Sequence, residues 1–321
     1  MDERDKRLRI AQARVDAFIR KNPDCSREGV KQPSQGVNNL VVFARKDDRM
    51  IVFKAFIWPE FKARECYAMR HWQKTGLVPE LLCDLDSEKM IIMSWLEGDF
   101  LGNSIREEEG EEAWRNACRT TGHAAGSLTR VPMTDAQKTD FESRFHEGST
   151  LEGYLGQILS LGRSVQSRDP DFRDQFWKDN LDFMEEQQEA ILAQPRVLYH
   201  EDVGNLHVHA GRFVGFFDLE MSRVGCAAMQ LGTLLKEVVC RQGEWDSFRK
   251  GWEEASGRQL SLGEKRAAVA ASHFLSWRII TRYLTYDGTP GTGAHWASPA
   301  DPVRFRKEIE GIQEMVGIGS P

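Results

Sequence analysis

The residues whose types and spacing could do chemistry are concentrated between Val197 and Asp218. An apolar run, Val197-Leu198-Tyr199, leads into His200-Glu201-Asp202-Val203-Gly204-Asn205, and a second, Val214-Gly215-Phe216-Phe217, leads into Asp218, sixteen residues after Asp202. Each aspartate therefore follows a run that reads as a strand, and strand ends are where two carboxylates can reach one site. Two Asp and one Asn suit phosphoryl transfer. A magnesium ion takes hard oxygen ligands, while a separate carboxylate orients and deprotonates an attacking hydroxyl. Asp202 fits the role of base, Asn205 and Asp218 fit the metal, and His200 fits a structural histidine that holds the loop.

Such chemistry also needs a cation for the α- and β-phosphates of a nucleotide, standing on a strand with an acidic partner. Val52-Phe53-Lys54 places a lysine on a predicted strand, and Glu65 lies eleven residues on, in a predicted helix. Alone, Lys54 reads as an edge-strand lysine and Glu65 as a solvated helix residue, so their weight is joint. Gly36 serves either a tight turn or a loop that covers phosphates. His200, His207 and His209 beside Asp202 raise a zinc alternative, but the rest of the chain offers no second spaced ligand pair.

The elements that must position these groups follow from periodicity. Leu8, Ala11, Val15, Phe18 and Ile19 at helical spacing predict an amphipathic helix over residues 1–22. Leu40–Ala44 and Met50–Phe56 predict two strands joined by a charged turn. Glu60–Thr75 predicts a helix closed by Gly76, and a second strand pair follows at Leu81–Asp84 and Met90–Met93. Beyond Gly98 the pattern is helical over 107–130, 173–194, 226–254, 263–284 and 302–315, apart from the strand-rich window at 197–218. Segments 131–150 and 286–301 read as looser. Strands first and helices after give an α+β pattern with two parts, hinged near Glu97-Gly98.

Composition narrows the function classes. The 321 residues are 40% hydrophobic and 29% charged, an ordinary globular balance with room for two packed lobes. A net charge of −6 and the absence of a basic run argue against a nucleic-acid partner. Nowhere do 18 apolar residues run together, and the start, Met1-Asp2-Glu3-Arg4, has no secretory pattern, so neither a membrane partner nor export is expected. The six cysteines form no CxxC pair and read as core thiols of a cytoplasmic protein. Oligomeric state is not legible from this pattern.

In order and spacing these parts resemble the aminoglycoside-phosphotransferase and choline-kinase group of protein-kinase-like enzymes, over roughly residues 30–240. The resemblance rests on Gln35-Gly36-Val37-Asn38-Asn39, Lys54, Glu65, the linker Ile92–Gly98, the helix Thr121–Leu128, the His200–Asn205 loop and Phe216-Phe217-Asp218-Leu219-Glu220. It implies a bilobal protein-kinase-like fold, with a small antiparallel-sheet lobe over 1–97 and a larger, mainly helical lobe over 98–321. It implies ATP or GTP, Mg²⁺, and transfer of the γ-phosphate to a hydroxyl of a small molecule, either an aminoglycoside-like antibiotic or a metabolite. Lys54, Glu65, Gly36 and the linker residues Ser94 and Leu96 would then hold the nucleotide, and the helical lobe would build the acceptor pocket.

Two departures from the family pattern bear on the chemistry. In His-Gly-Asp-x-x-x-x-Asn the Asn stands five residues after the Asp, whereas Asn205 stands three after Asp202 and position 207 is His. Asn205 remains the expected ligand, because Mg²⁺ prefers oxygen to imidazole nitrogen and because Leu206 and Val208 then open the next strand in register. The shortened loop leaves one alternative, a nucleotide-binding pseudokinase or regulatory module with impaired transfer. The second departure is Glu220, where protein kinases carry the glycine of Asp-Phe-Gly, and it favours the small-molecule branch.

Overall fold

The structure is a computed structural model that describes residues 3–33, 39–145, 150–284 and 301–318. In chain order the first elements are α1 (Glu3–Lys21), β1 (Cys25–Ser26), β2 (Asn39–Lys46), β3 (Arg49–Phe56), α2 (Pro59–Trp72), β4 (Leu81–Leu85), β5 (Met90–Ser94) and β6 (Asp99–Phe100). Helices α3 (Asn103–Glu109), α4 (Glu111–Leu128), α5 (Asp135–Phe145), α6 (Leu151–Arg168) and α7 (Gln175–Leu192) follow. Then come β7 (Val197–Tyr199), β8 (Leu206–His209), β9 (Arg212–Phe216) and β10 (Arg223–Gly225). Helices α8 (Ala227–Leu234), α9 (Cys240–Gln242), α10 (Trp245–Ser256), α11 (Leu262–Leu284) and α12 (Pro302–Val316) complete the chain. The class is α+β, as the sequence predicts.

Two compact units divide the chain. The first holds residues 1–100, 205–209 and 214–222, and the second holds 101–204, 210–213 and 223–321. In the first, an antiparallel sheet runs in the order β1-β2-β3-β5-β4. Its β2–β3 hairpin turns at Asp47-Asp48, both at positive φ (47° and 63°), the mirror-type turn that matches strand twist. Because side chains alternate across a strand, Ile51, Phe53 and Ala55 enter one core with Ala11 and Val15 of α1, while Lys54 points to the other face. Helix α2 lies on that other face, started by Pro59 and ended, after one tight turn, at Gly76 with φ 68°.

The same unit contains a second sheet in the order β6-β8-β9, with Asp99 opposite Val208 and Phe100 opposite His207. Gly98, at the expected hinge, has φ 111°, and a Cβ there would lie 2.2 Å from the Val208 carbonyl oxygen. Only glycine lets the linker pass so close to β8.

The second unit is helical around the short antiparallel pair β7–β10, in which Tyr199 faces Arg223. Trp245, Phe248, Trp252, Phe274 and Trp277 are all buried in it. The predicted helix over 107–130 is two helices, broken at Gly110 with φ 91°. The predicted helix over 226–254 is likewise broken, by a widened turn at Leu235–Val239 and by Gly243 with φ 66°. Of the two segments read as looser, 131–150 contains α5 and 286–300 lies outside the described residues; α6 is a helix that the apolar pattern does not predict. Among the described residues no helix is long and apolar enough to cross a membrane.

Candidate active site

Lys54 is the centre of the first unit's polar cluster. Its side chain is 4% exposed, and its Nζ pairs with Glu65 at 2.5 Å, with Asp218 more closely still, and with Glu220 at 3.4 Å. Strand parity delivers Lys54 to the face where α2 presents Glu65, and the turn Leu219–Met221 brings in the other two carboxylates. Asp218 itself sits at φ 60°, ψ 52°, a left-handed conformation that costs a non-glycine residue and aims its carboxylate out of the strand direction. Burial works to lower the Lys54 pKa, but Asp218, Glu65 and Glu220 outweigh it and hold the ammonium well above its ordinary value.

Three carboxylates thus share one ammonium. Burial raises the pKa of Glu65 first of all, Lys54 opposes this, and the charges of Asp218 and Glu220 add to the rise. Carboxylate oxygens of Glu65, Asp218 and Glu220 lie within 4.8 Å of one another, a hard-oxygen set with surplus negative charge. Asn39 adds a tie to this cluster, its Nδ2 donating to Glu220 Oε2 at 2.5 Å.

Asn205 joins the cluster through Asp218, with Asn205 Nδ2 3.4 Å from Asp218 Oδ2. His207 does something else. Its Nδ1 is 3.2 Å from the Leu96 carbonyl, and its ring packs edge-on against Phe100 and Phe217, with centroids at 5.4 and 4.8 Å. Leu96 also rests on Gly215, where a Cβ would come within 2.7 Å of Leu96 Cδ1. The Ser94 hydroxyl accepts from the Glu80 backbone N–H at 2.9 Å, and Ser94 N–H donates to the Glu80 carbonyl at 2.9 Å. Gly36 lies outside the described residues.

The second unit carries His200, Glu201 and Asp202 at the end of β7. His200 is fully buried, and its backbone is held by α8: its N–H donates to Gln230 Oε1 at 2.9 Å, while Gln230 Nε2 and Thr233 Oγ1 each lie 3.4 Å from its carbonyl. Asp202 is half-buried. Glu201, between them, is a charged residue that sequence reasoning gave no role. Its carboxylate is 1% exposed, pairs with Arg278 Nη1 at 2.5 Å and accepts from the Tyr154 hydroxyl at 2.9 Å. Burial would raise the pKa of Glu201, but Arg278, Arg223 and the Tyr154 hydrogen bond overcome that and keep it below its ordinary value. Glu220 is the other group that sequence reasoning left without a role in the site. Its position two residues after Asp218 was its only signal.

Of the residues predicted for the site, Lys54, Glu65, Asn205 and Asp218 come together in one unit, with Ser94 and Leu96 in the linker of that same unit. A family model described as the phosphotransferase enzyme family matches residues 29–270. No curated protein matches the chain. Among solved structures, aminoglycoside phosphotransferase APH(4)-Ia is similar at a TM-score of 0.63 and 16% identity, covering 96% of this chain and 100% of that one. A streptomycin–ATP–APH(2'')-IIa ternary complex gives 0.59 and 13%, covering 95% and 96%, and ADP-bound APH(2'')-Ib gives 0.56 and 14%, covering 96% and 99%. At these identities the likeness is one of fold, and it is the bilobal, kinase-like fold predicted from the sequence.

Proposed function

The chain belongs to the phosphotransferase enzyme family, and on that premise we propose that it transfers the γ-phosphate of ATP or GTP, with Mg²⁺, to a hydroxyl of a small molecule, either an aminoglycoside-like antibiotic or a hydroxylated metabolite. The observation that supports this best is the joining of Lys54, Glu65 and Asp218 around one ammonium, with Asn205 on the far oxygen of Asp218. Glu65 fixes the Lys54 ammonium, which grips the α- and β-phosphates of the nucleotide. Asp218 and Asn205 offer hard oxygens, and three carboxylates against one ammonium leave the negative surplus that a divalent cation would neutralise, so these residues suit Mg²⁺. A bound Mg²⁺ would supply charge neutralisation on the phosphates.

Asp202 accepts the proton of the attacking hydroxyl, and His200, pinned to Gln230 and Thr233, keeps the loop from drifting. Ser94 and Leu96 belong to the linker that meets the nucleotide base. In this reading residues 1–97 form a nucleotide-covering lobe, and residues 98–321 form the lobe that supplies base and acceptor pocket. The reading predicts nucleoside diphosphate release, in a coupled assay with ATP and with GTP, that requires both Mg²⁺ and one member of a panel of aminoglycosides, other antibiotics, choline-like amines and sugars. Diphosphate release that is equal with and without every acceptor would refute it.

A further inference from the structure

The base reading of Asp202 leaves unexplained a group of charged and aromatic side chains that converges on its neighbour, Glu201. Three elements of the second unit supply it: Tyr154 from α6, Arg223 from β10 and Arg278 from α11. Arg278 pairs with Glu201 at 2.5 Å, and the guanidinium carbon of Arg223 stands 4.2 Å from the centroid of the Tyr154 ring, whose hydroxyl donates to the same Glu201 oxygen. The Tyr199 hydroxyl lies 3.5 Å from that oxygen.

A plain structural role, a buried clamp on the loop, accounts for the charge that Arg278 and Arg223 lend to Glu201, but not for the guanidinium donors that both leave over. Arg223 makes no ion pair among the described residues, and it is half-buried against an aromatic face. The exposure pattern is also lopsided. The Glu201 carboxylate is 1% exposed while the Arg278 side chain is 27% exposed, so a solute meets guanidinium and not carboxylate. Two guanidinium groups thus stand about one covered carboxylate, which is one residue from Asp202 in the chain. A guanidinium presents five donors in a planar fork that matches the oxygens of a carboxylate or phosphate, and Arg278 spends one nitrogen on Glu201. Overall charge of −6 does not bear on this, since net charge speaks to solubility and local charge to recognition.

We propose that Arg223 and Arg278 form an anion-recognition subsite within the acceptor site, so that the hydroxyl presented to Asp202 belongs to a molecule that also carries a carboxylate or a phosphate. This rests on Asp202 being the base at the acceptor. Tyr154 orders both arginines, one through its ring and one through the carboxylate it shares.

The test is calorimetric titration of the full chain, without nucleotide and at fixed ionic strength, with D-glycerate, glycerol 3-phosphate, glycerol and kanamycin. At least one of the two anions is expected to bind saturably while glycerol does not, and the preference between them tells carboxylate from phosphate. Arg223→Gln, which breaks no ion pair, should keep the wild-type melting temperature and weaken anion binding about tenfold or more. Arg278→Lys keeps a charge opposite Glu201 while removing the fork, and should also weaken it. Anions that bind no better than glycerol, an Arg223→Gln variant that binds them as the wild type does, or saturable binding of kanamycin alone would each overturn the proposal. Because binding is read without turnover, loss of the kinase reading and loss of this subsite are separate results.

Discussion

Asn205 Nδ2 lies 3.4 Å from Asp218 Oδ2, so the two residues expected to share a metal ion are neighbours although three positions, not five, separate Asn205 from Asp202. The backbone explains it. Phe217 N–H donates to the Asn205 carbonyl at 2.9 Å, which ties the end of the short loop to the residue before Asp218. An amide offers nitrogen or oxygen on rotation, so the same placement serves a cation. Asn205→Ala should therefore raise the Mg²⁺ concentration for half-maximal transfer by about tenfold or more, since it removes one of the two side chains assigned to the ion. His207→Ala should leave that concentration unchanged, because its ring is engaged by the Leu96 carbonyl and by Phe100 and Phe217. The opposite pattern would make His207 the ligand.

Lys54 and its carboxylates should separate stability from chemistry. Lys54→Met leaves Glu65 and Glu220, both buried, without their counter-charge, and should cost about 3–5 kcal/mol in urea unfolding. Glu65→Gln removes a group that burial and two neighbouring carboxylates already push up, so it should cost far less stability. Transfer by Glu65→Gln should nevertheless fall roughly 10- to 100-fold, as the ammonium loses its fixed partner. Wild-type turnover in Glu65→Gln would remove the pair from the mechanism.

Much of this arrangement was legible because it is local or periodic. Strand parity put Lys54 opposite Phe53 and Ala55, and Glu65, nearly two helix turns after Pro59, came within its reach. The contact of Lys54 with Asp218 spans 164 positions, and only the order of motifs suggested it. Glu201 and Glu220 were not legible as site residues, since a hydrophobic pattern marks an isolated acid as exposed whether or not a distant arginine or lysine neutralises it. Apolar periodicity ran through Gly110 and Gly243, whose positive φ breaks the helices. Helix α6 was missed for the converse reason: Gly153, Gly156 and Gly162 depress its local propensity, and Gly162 packs close to Leu181 and Trp277 in a way no local signal reveals.

Close helix packing gives a structural prediction. A Cβ at Gly251 of α10 would lie 1.8 Å from the Arg119 carbonyl oxygen of α4, and one at Gly122 of α4 would lie 2.1 Å from the Phe248 carbonyl oxygen. Backbone cannot yield as a side chain can, so Gly251→Ala should destabilise by about 2–3 kcal/mol or more, measured by urea unfolding. A neutral result would mean that α4 and α10 do not approach so closely.

His273 sets an acid limit on the fold. It is fully buried, its Nδ1 lies 2.8 Å from Asn180 Nδ2, and burial pushes its pKa down to about 3. The unfolded chain takes up a proton near the ordinary histidine value and the folded one does not, so its contribution to stability is full above about pH 6.5 and falls as pH drops toward 3. Urea midpoints should decline over that window in the wild type and decline less in His273→Gln, with the two curves parallel above about pH 7. Equal slopes in the acid window would show that His273 is protonated in the folded state.

Asp202, as the base, carries the transfer step itself. The most direct measurement is steady-state transfer by Asp202→Asn beside its nucleotide affinity by calorimetry. Turnover should fall by about 10²–10⁴-fold, the range for a lost general base, with nucleotide affinity within a few-fold of the wild type. Turnover that survives the substitution would contradict that role.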